Sequence, residues 1–175
     1  KFFSEREIET FTREMAEKAK QSDWEGFILR QAEDSITFTM NGKPKRKGSY
    51  KFKFIETTDC IVARVCPDSG KHEVRFARFR LYQYENSPFF EEPVLVDCGW
   101  AGGGRLGEEN MDILTSELLE KGYTLEDTEL NEKDWFAVEL EYQSRQERND
   151  KGQLCFEFPI IIRTREDKPL KECEV

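Results

Sequence analysis

The sequence predicts a mainly β chain with some α structure, ending in a small five-stranded Greek-key barrel behind a shorter block of one helix and several strands. Three observations carry this. Short segments alternate apolar and polar residues with the period of two that a half-buried strand requires. Apolar residues recur at helical spacing in two places only, near the start and after the third strand of the later series. Glycine, proline and asparagine gather between these segments, where turns need them.

Residues 4–20, SEREIETFTREMAEKAK, read as an amphipathic helix with Ser4 as N-cap and Glu7 completing a capping box. Ile8, Phe11, Met15 and Ala19 form its apolar stripe. Asp23-Trp24 leads into GFILR (26–30), ITFTM (36–40) follows, and Asn41-Gly42 marks a turn. A basic stretch is expected as an exposed loop before YKFKF (50–54) alternates as the next strand. Near Glu56-Thr57-Thr58 the strands lengthen, so residues 1–56 and 57–175 are expected as separate domains, with this segment as the hinge.

The later strands are CIVARV (60–65), EVRFARFRLYQY (73–84), PVLVDCGW (93–100), WFAVELEYQS (135–144) and LCFEFPIIIR (154–163). Turns are expected at Pro67–Gly70 and Asn149–Gly152, and a flexible run at Ala101-Gly102-Gly103-Gly104. A helix over 107–121 carries Met111, Leu114, Leu118 and Leu119, with Gly122 as its stop. Five strands with a helix after the third is the order of an OB-fold. Phe76, Phe79, Tyr82 and Tyr84 then belong to its core or sheet face rather than to a base-stacking platform.

A length of 175 residues suits one ordinary domain, or one small domain attached to part of another. Hydrophobic residues at 37%, with fourteen Phe, permit a packed core despite 36% charged residues. No apolar run approaches the roughly 18 residues that a membrane span needs. The start, Lys1-Phe2-Phe3-Ser4, is neither an initiator Met nor a signal peptide, so a chain excised from a longer one is expected. The five cysteines form no CxxC pair and His72 is the only histidine, which speaks against a zinc site and leaves any Cys-His nucleophile pair to rest on that one residue. Reduced cysteines in a cytoplasmic or nuclear protein are expected.

The net charge of −9 argues against nucleic-acid binding, but its distribution does not. Lys43, Lys45, Arg46, Lys47, Lys51 and Lys53 lie in a stretch free of acids, whereas acids dominate between Glu108 and Asp134.

Three stretches carry a resemblance. They are Glu25-Gly26-Phe27-Ile28-Leu29-Arg30, then Lys51-Phe52-Lys53 behind Ser49, and Arg165-Glu166-Asp167-Lys168 after Phe158-Pro159-Ile160-Ile161-Ile162-Arg163-Thr164. In this order they resemble the fourth, fifth and sixth motifs of ATP-dependent DNA ligases, which are covalent nucleotidyltransferases, and the resemblance spans nearly the whole chain. It implies that residues 1–56 are the C-terminal part of an ATP-grasp-like nucleotidyltransferase (adenylation) domain and residues 57–175 an OB-fold domain. Phe54 and Ile55 stand where the fifth motif usually has an acid, and Glu157-Phe158 where the sixth often has a base. The nucleophilic lysine of a K-x-D-G motif is missing, since Asn41-Gly42-Lys43-Pro44 has the wrong order and place. The chain alone is therefore expected to be inactive in self-adenylation.

Lys51 and Lys53, two apart on a strand, share one face. By the resemblance they grip the α-phosphate of ATP or of the AMP intermediate, Arg30 helps to bind the nucleotide, and Glu25 holds Mg²⁺ or its water. Arg163, Arg165, Asp167 and Lys168 orient the leaving pyrophosphate, a task that suits a guanidinium fork. Lys43, Lys45, Arg46 and Lys47 would contact DNA backbone phosphates without reading sequence. The implied partners are nicked duplex DNA and the remainder of the adenylation domain, with no membrane and a monomeric protein. An RNA ligase, an mRNA capping nucleotidyltransferase, or a non-catalytic OB module binding nucleic acid or protein are the alternatives.

Overall fold

The computed structural model describes residues 5–21, 26–30, 36–38, 44–46, 49–53, 55–67, 74–145 and 148–175. They divide into two compact units, Lys1–Phe54 and Ile55–Val175. The described residues are mainly β, with two α-helices among them. Ser4 and the Asn41-Gly42 turn lie outside the described residues.

In the first unit, helix α1 (Glu5–Gln21) lies against strand β1 (Gly26–Arg30). Strands β2 (Ile36–Phe38) and β3 (Pro44–Arg46) pair antiparallel, as do β1 and β4 (Ser49–Lys53). The basic segment expected as a loop thus supplies a short strand, with Lys45 opposite Thr37 and Arg46 opposite Ile36. Phe27 and Phe52 face each other in the β1–β4 register and stack at 4.9 Å, with 14° between their rings. That offset contact staples the pair on one face. Gly26 has a steric reason to be glycine, because a Cβ there would overlap the Phe52 carbonyl oxygen.

The second unit is built on a mixed six-stranded sheet. Its strands are β5 (Glu56–Pro67), β6 (Phe76–Glu85), β7 (Val94–Gly102), β8 (Thr128–Glu129), β9 (Phe136–Tyr142) and β12 (Ile160–Thr164). Between the last two in the chain come the short strands β10 (Ser144–Arg145) and β11 (Phe156–Glu157), which pair with each other. Neighbours in the large sheet run β6, β7, β12, β9, β5, β8, and β5 also pairs with β6, so the ladder returns on itself. The pairings are antiparallel except for β12 with β7, which meet at Ile160 and Gly102. Glu56, Thr57 and Thr58, expected as a hinge, are paired in β5 with Tyr142, Glu141 and Leu140.

Two segments differ from expectation. Residues 154–163 are not one strand, since β11 ends at Glu157 and β12 starts only at Ile160. Phe158 sits at φ 52 ahead of Pro159, a left-handed residue followed by one without an N–H, and no ladder runs through that pair. Nor is Ala101–Gly104 a flexible turn. Ala101 and Gly102 finish β7, and the buried Gly103 donates its N–H to the Ala77 carbonyl at 3.0 Å. A Cβ on Gly103 would come within 2.9 Å of Met111 Sδ and 3.0 Å of Phe79 Cε2, so a larger residue there would have to push those side chains aside.

Helix α2 (Glu108–Glu120) buries Leu114, Thr115 and Leu118, and its leucines join Phe76, Phe79, Leu81, Leu140 and Ile161 in the main core. Leu119, expected on the apolar side, is exposed. Thr115 Oγ1 accepts the Phe76 N–H at 3.1 Å and donates to the Met111 carbonyl at 2.7 Å, which ties the helix to the start of β6. A second apolar cluster joins Ile61, Ala137 and Cys173, with Tyr82, Tyr84 and Leu170 packed against it. The C-terminal segment is fastened there: Tyr84 donates its N–H to the Cys173 carbonyl at 2.7 Å, and Val175 donates to the Tyr84 carbonyl at 2.9 Å.

Gln83 on β6 is wholly buried, with 0% exposure. Its Nε2 faces Thr58 Oγ1 at 3.0 Å, the Asp59 carbonyl at 2.8 Å and the Glu174 carbonyl at 3.1 Å, while its Oε1 accepts Arg145 Nη2 at 2.9 Å. One amide therefore satisfies groups from β5, β10 and the C-terminal segment. Gln83→Leu would leave them unpaired. The expected loss is about 1–3 kcal/mol, read as a lower urea midpoint at unchanged slope, and a change below about 0.5 kcal/mol would contradict this role.

Candidate functional site

In the first unit, Lys51 stands opposite Ile28 and Lys53 opposite Gly26. Alternation along β4 places both lysines on one face, about 7 Å apart along the strand, and turns Tyr50 and Phe52 to the other. Phe52 is engaged by Phe27, which holds the strand while the lysine face carries charge. Arg30 closes β1 in register with Ser49. Lys45 and Arg46 lie on β3, whereas Glu25, Lys43 and Lys47 fall outside the described residues. Among the described residues no group of three or more His, Cys, Asp or Glu side chains is placed to hold a metal ion.

In the second unit, Arg163, Arg165, Asp167 and Lys168 come together at and just beyond the end of β12. Register explains why. Asp59 on β5 lies directly opposite Glu139 on β9, and Glu139 lies opposite Arg163 on β12. Two carboxylates facing each other across a ladder repel unless cations stand beside them. Arg163 Nε donates to Glu139 Oε2 at 2.6 Å. Arg165 donates from Nη1 to Asp59 Oδ1 at 3.0 Å, and its Nε and Nη2 form a bidentate fork on Asp167, each at 2.9 Å. Lys168 Nζ lies 3.4 Å from Asp59 Oδ2 and 3.5 Å from Glu172. The Arg165 N–H donates to the Ala137 carbonyl at 2.8 Å, so the backbone of the motif is held as well.

The charges tune each other. The hydrogen bond to Asp167 raises the Arg165 guanidinium above its ordinary value, and the same bond from Arg165 holds the Asp167 carboxyl below the usual range. Partial burial works against the charge on Lys168, but its bond to Asp59 outweighs this and the ammonium is raised. Asp59 and Arg165 are each 18% exposed at the side chain, whereas Arg163 is 61% exposed. Such a cluster of forked and point cations on half-covered carboxylates is chemically suited to phosphate oxygens, which present the same anionic acceptors.

Asp59 and Glu139 were not legible as site residues. The alternation in ETTDCIV and FAVELEY marks both as facing away from the main core, but only the β5–β9 register brings them together. The sheet also carries Trp100, with the guanidiniums of Arg64, Arg78 and Arg80 at 6.0, 5.1 and 5.5 Å from its ring centre. Arg64 is forked on Asp127 and Arg80 is paired with Asp97, so much of that charge is already compensated.

No protein-family model and no curated protein matches the chain. Solved structures share its fold, among them two with similar alignments. Pmar-Lig_Pre. aligns with a TM-score of 0.59 and Pmar-Lig_PreS3 with 0.60, each at 14% identity over 93% of this chain and 32% of theirs. The chain thus spans about a third of the length of those structures. The ligase domain of LigD from M. tuberculosis aligns at 15% identity over 91% of this chain and 50% of its own, with a TM-score of 0.46. The likeness to the two Pmar-Lig structures is one of fold.

The Arg165–Asp167 fork predicts a titration. A carboxylate with a depressed folded pKa adds stability that is present above its unfolded value, near 3.9, and is lost as pH falls through the folded value. The Asp167 carboxyl carbon, followed by NMR, should titrate below the ordinary aspartate range. In Arg165→Ala it should return toward that range. An unchanged titration in the variant would show that the fork does not form in solution.

Proposed function

We propose that this chain is the C-terminal part of an ATP-dependent DNA ligase, joining the end of an adenylation domain to an OB-fold. The whole enzyme would seal nicks in duplex DNA through lysyl-AMP and DNA-adenylate intermediates. One observation carries the reading: the pairing cycle β5–β6–β7–β12–β9, with α2 between β7 and β9 in the chain, ends on the Arg165–Lys168 cluster. That order fits the five-stranded, partly open Greek-key barrel of an OB-fold. The likeness in fold to the Pmar-Lig structures supports the same reading.

In this reading each step is phosphoryl transfer, and the protein's part is to position groups and compensate negative charge. Lys51 and Lys53 grip the α-phosphate from one strand face, with Arg30 at the far end of the paired strand. Arg163, Arg165, Asp167 and Lys168 orient the leaving pyrophosphate of ATP, exchanging some carboxylate partners for phosphate oxygens. Mg²⁺ would use Glu25, and supplies charge neutralisation when bound. Lys43, Lys45, Arg46 and Lys47 contact the DNA backbone. The nucleophilic lysine comes from the remainder of the adenylation domain, so this chain by itself forms no lysyl-AMP. A monomeric protein working in the cytoplasm or nucleus accords with this. No described helix is long and apolar enough to cross a membrane.

The test uses the polypeptide that also carries the upstream half, with ATP, Mg²⁺ and a nicked DNA duplex beside a nicked RNA. Lys51→Ala and Lys53→Ala are each expected to lower sealing of DNA by about a hundredfold or more while leaving circular dichroism unchanged. Sealing at the unmodified rate by both variants would overturn the reading. A preference for the nicked RNA, or a requirement for GTP, would move it to an RNA ligase or a capping nucleotidyltransferase.

A further inference from the structure

We propose that Asp59, a residue that no motif marks, is the positioning residue that aims Arg165 and Lys168 at the pyrophosphate leaving group. This rests on the ligase reading. Asp59 is the carboxylate that both cations share. Its Oδ1 takes Arg165 Nη1 at 3.0 Å and its Oδ2 lies 3.4 Å from Lys168 Nζ, so each oxygen is assigned to a different cation. The other partners are local or looser. Asp167 and Glu172 lie within a few residues of the cations they bind, and Glu139 stands 3.8 Å from Arg165.

Asp59 ties this turn to a strand 106 residues earlier in the chain. It is also itself held. The Asp59 carbonyl accepts from the buried Gln83 amide at 2.8 Å, and Gln83 reaches the Glu174 carbonyl of the C-terminal segment at 3.1 Å. A half-buried carboxylate on a strand locked in this way is a fixed reference point, whereas Asp167 and Glu172 move with the segment they belong to. Guanidinium and ammonium groups on flexible stems lose freedom when they bind phosphate, and a partner that holds them in place beforehand reduces that loss.

The step concerned is the first. The upstream lysine nitrogen, having given up a proton, bonds to the α-phosphorus of ATP. The bond from that phosphorus to the bridging oxygen breaks, and pyrophosphate leaves with the electron pair. Arg165 and Lys168 compensate the charge that builds on the leaving group, and Asp59 sets where they stand. In the sealing of a nick that is already adenylated, AMP is the leaving group and no pyrophosphate forms, so Asp59 has no part in that step.

This difference is the test. In the polypeptide carrying the upstream half, Asp59→Asn should lower kcat for lysine adenylation about tenfold or more, with KM for ATP changed far less. Sealing of a pre-adenylated nicked duplex should stay within about twofold. Asp59→Glu, which keeps the charge on a longer stem, should fold and give an intermediate adenylation rate. Thermal unfolding of each variant is recorded alongside. Normal adenylation by Asp59→Asn would overturn the proposal, and so would an equal fall in both steps together with a lowered Tm, which marks a purely structural residue. If Asp59→Asn does not fold, Asp59→Glu decides alone, because an equal loss in both steps would again overturn it. Failure of the unsubstituted enzyme to form lysyl-AMP would overturn the ligase reading itself, an outcome distinct from the others.

Discussion

Strand β5 has to satisfy partners on both edges and bury side chains on both faces, and the larger unit is organised by that requirement. Along Glu56–Val62 it pairs with β9, along Ile61–Pro67 with β6, and Arg64 and Val65 meet β8. Register shifts at Val62/Arg64 and Cys66/Pro67 bend it, as an extra residue in a ladder does. Cys60 and Val62 face the main core while Ile61 faces the second cluster, and all three are inaccessible to solvent. A strand covered on one face alone would leave Ile61 in water. The C-terminal segment, through Leu170 and Cys173, is what covers it.

The charged cluster follows from the same arrangement. Once β5 and β9 are in register, Asp59 and Glu139 face each other, and this pair is tolerable only because Arg163, Arg165 and Lys168 arrive from the end of β12. The cations gain fixed positions and the carboxylates gain neutralisation. Of these ion pairs, the one made by Arg163, which is 61% exposed, adds little to stability. Their consequence is geometric: three cations are held across neighbouring strands β5, β9 and β12 on carboxylate partners.

Much of the architecture could be read from residue pattern. Alternation located β1, β4, β5, β6, β7 and β9 to within a few residues, and helical spacing located α1 and α2. What could not be read depends on contacts between segments distant in sequence. Gly102 and Gly103 look like a flexible linker until Met111 and Phe79 are seen against the latter. Phe158-Pro159 interrupts an apolar run whose pattern alone reads as one strand. Pro44–Arg46 reads as an exposed basic loop because its pairing with Ile36–Phe38 is not carried by hydrophobic alternation. Within the site, the cations Arg165 and Lys168 were marked by a motif, but their shared partner Asp59 was not, since only strand register brings it to them.

The two units carry complementary halves of one chemistry in the proposed reading: a lysine pair on β4 for the α-phosphate, and the cluster beyond β12 for the group that leaves. The most direct measurement is covalent labelling by radiolabelled ATP, using the polypeptide with its upstream half, with and without residues 57–175. A stable AMP adduct on a lysine, formed by the full polypeptide and reduced about a hundredfold or more without residues 57–175, is the predicted result. An adduct that forms equally well without them, or no adduct in either, would contradict it.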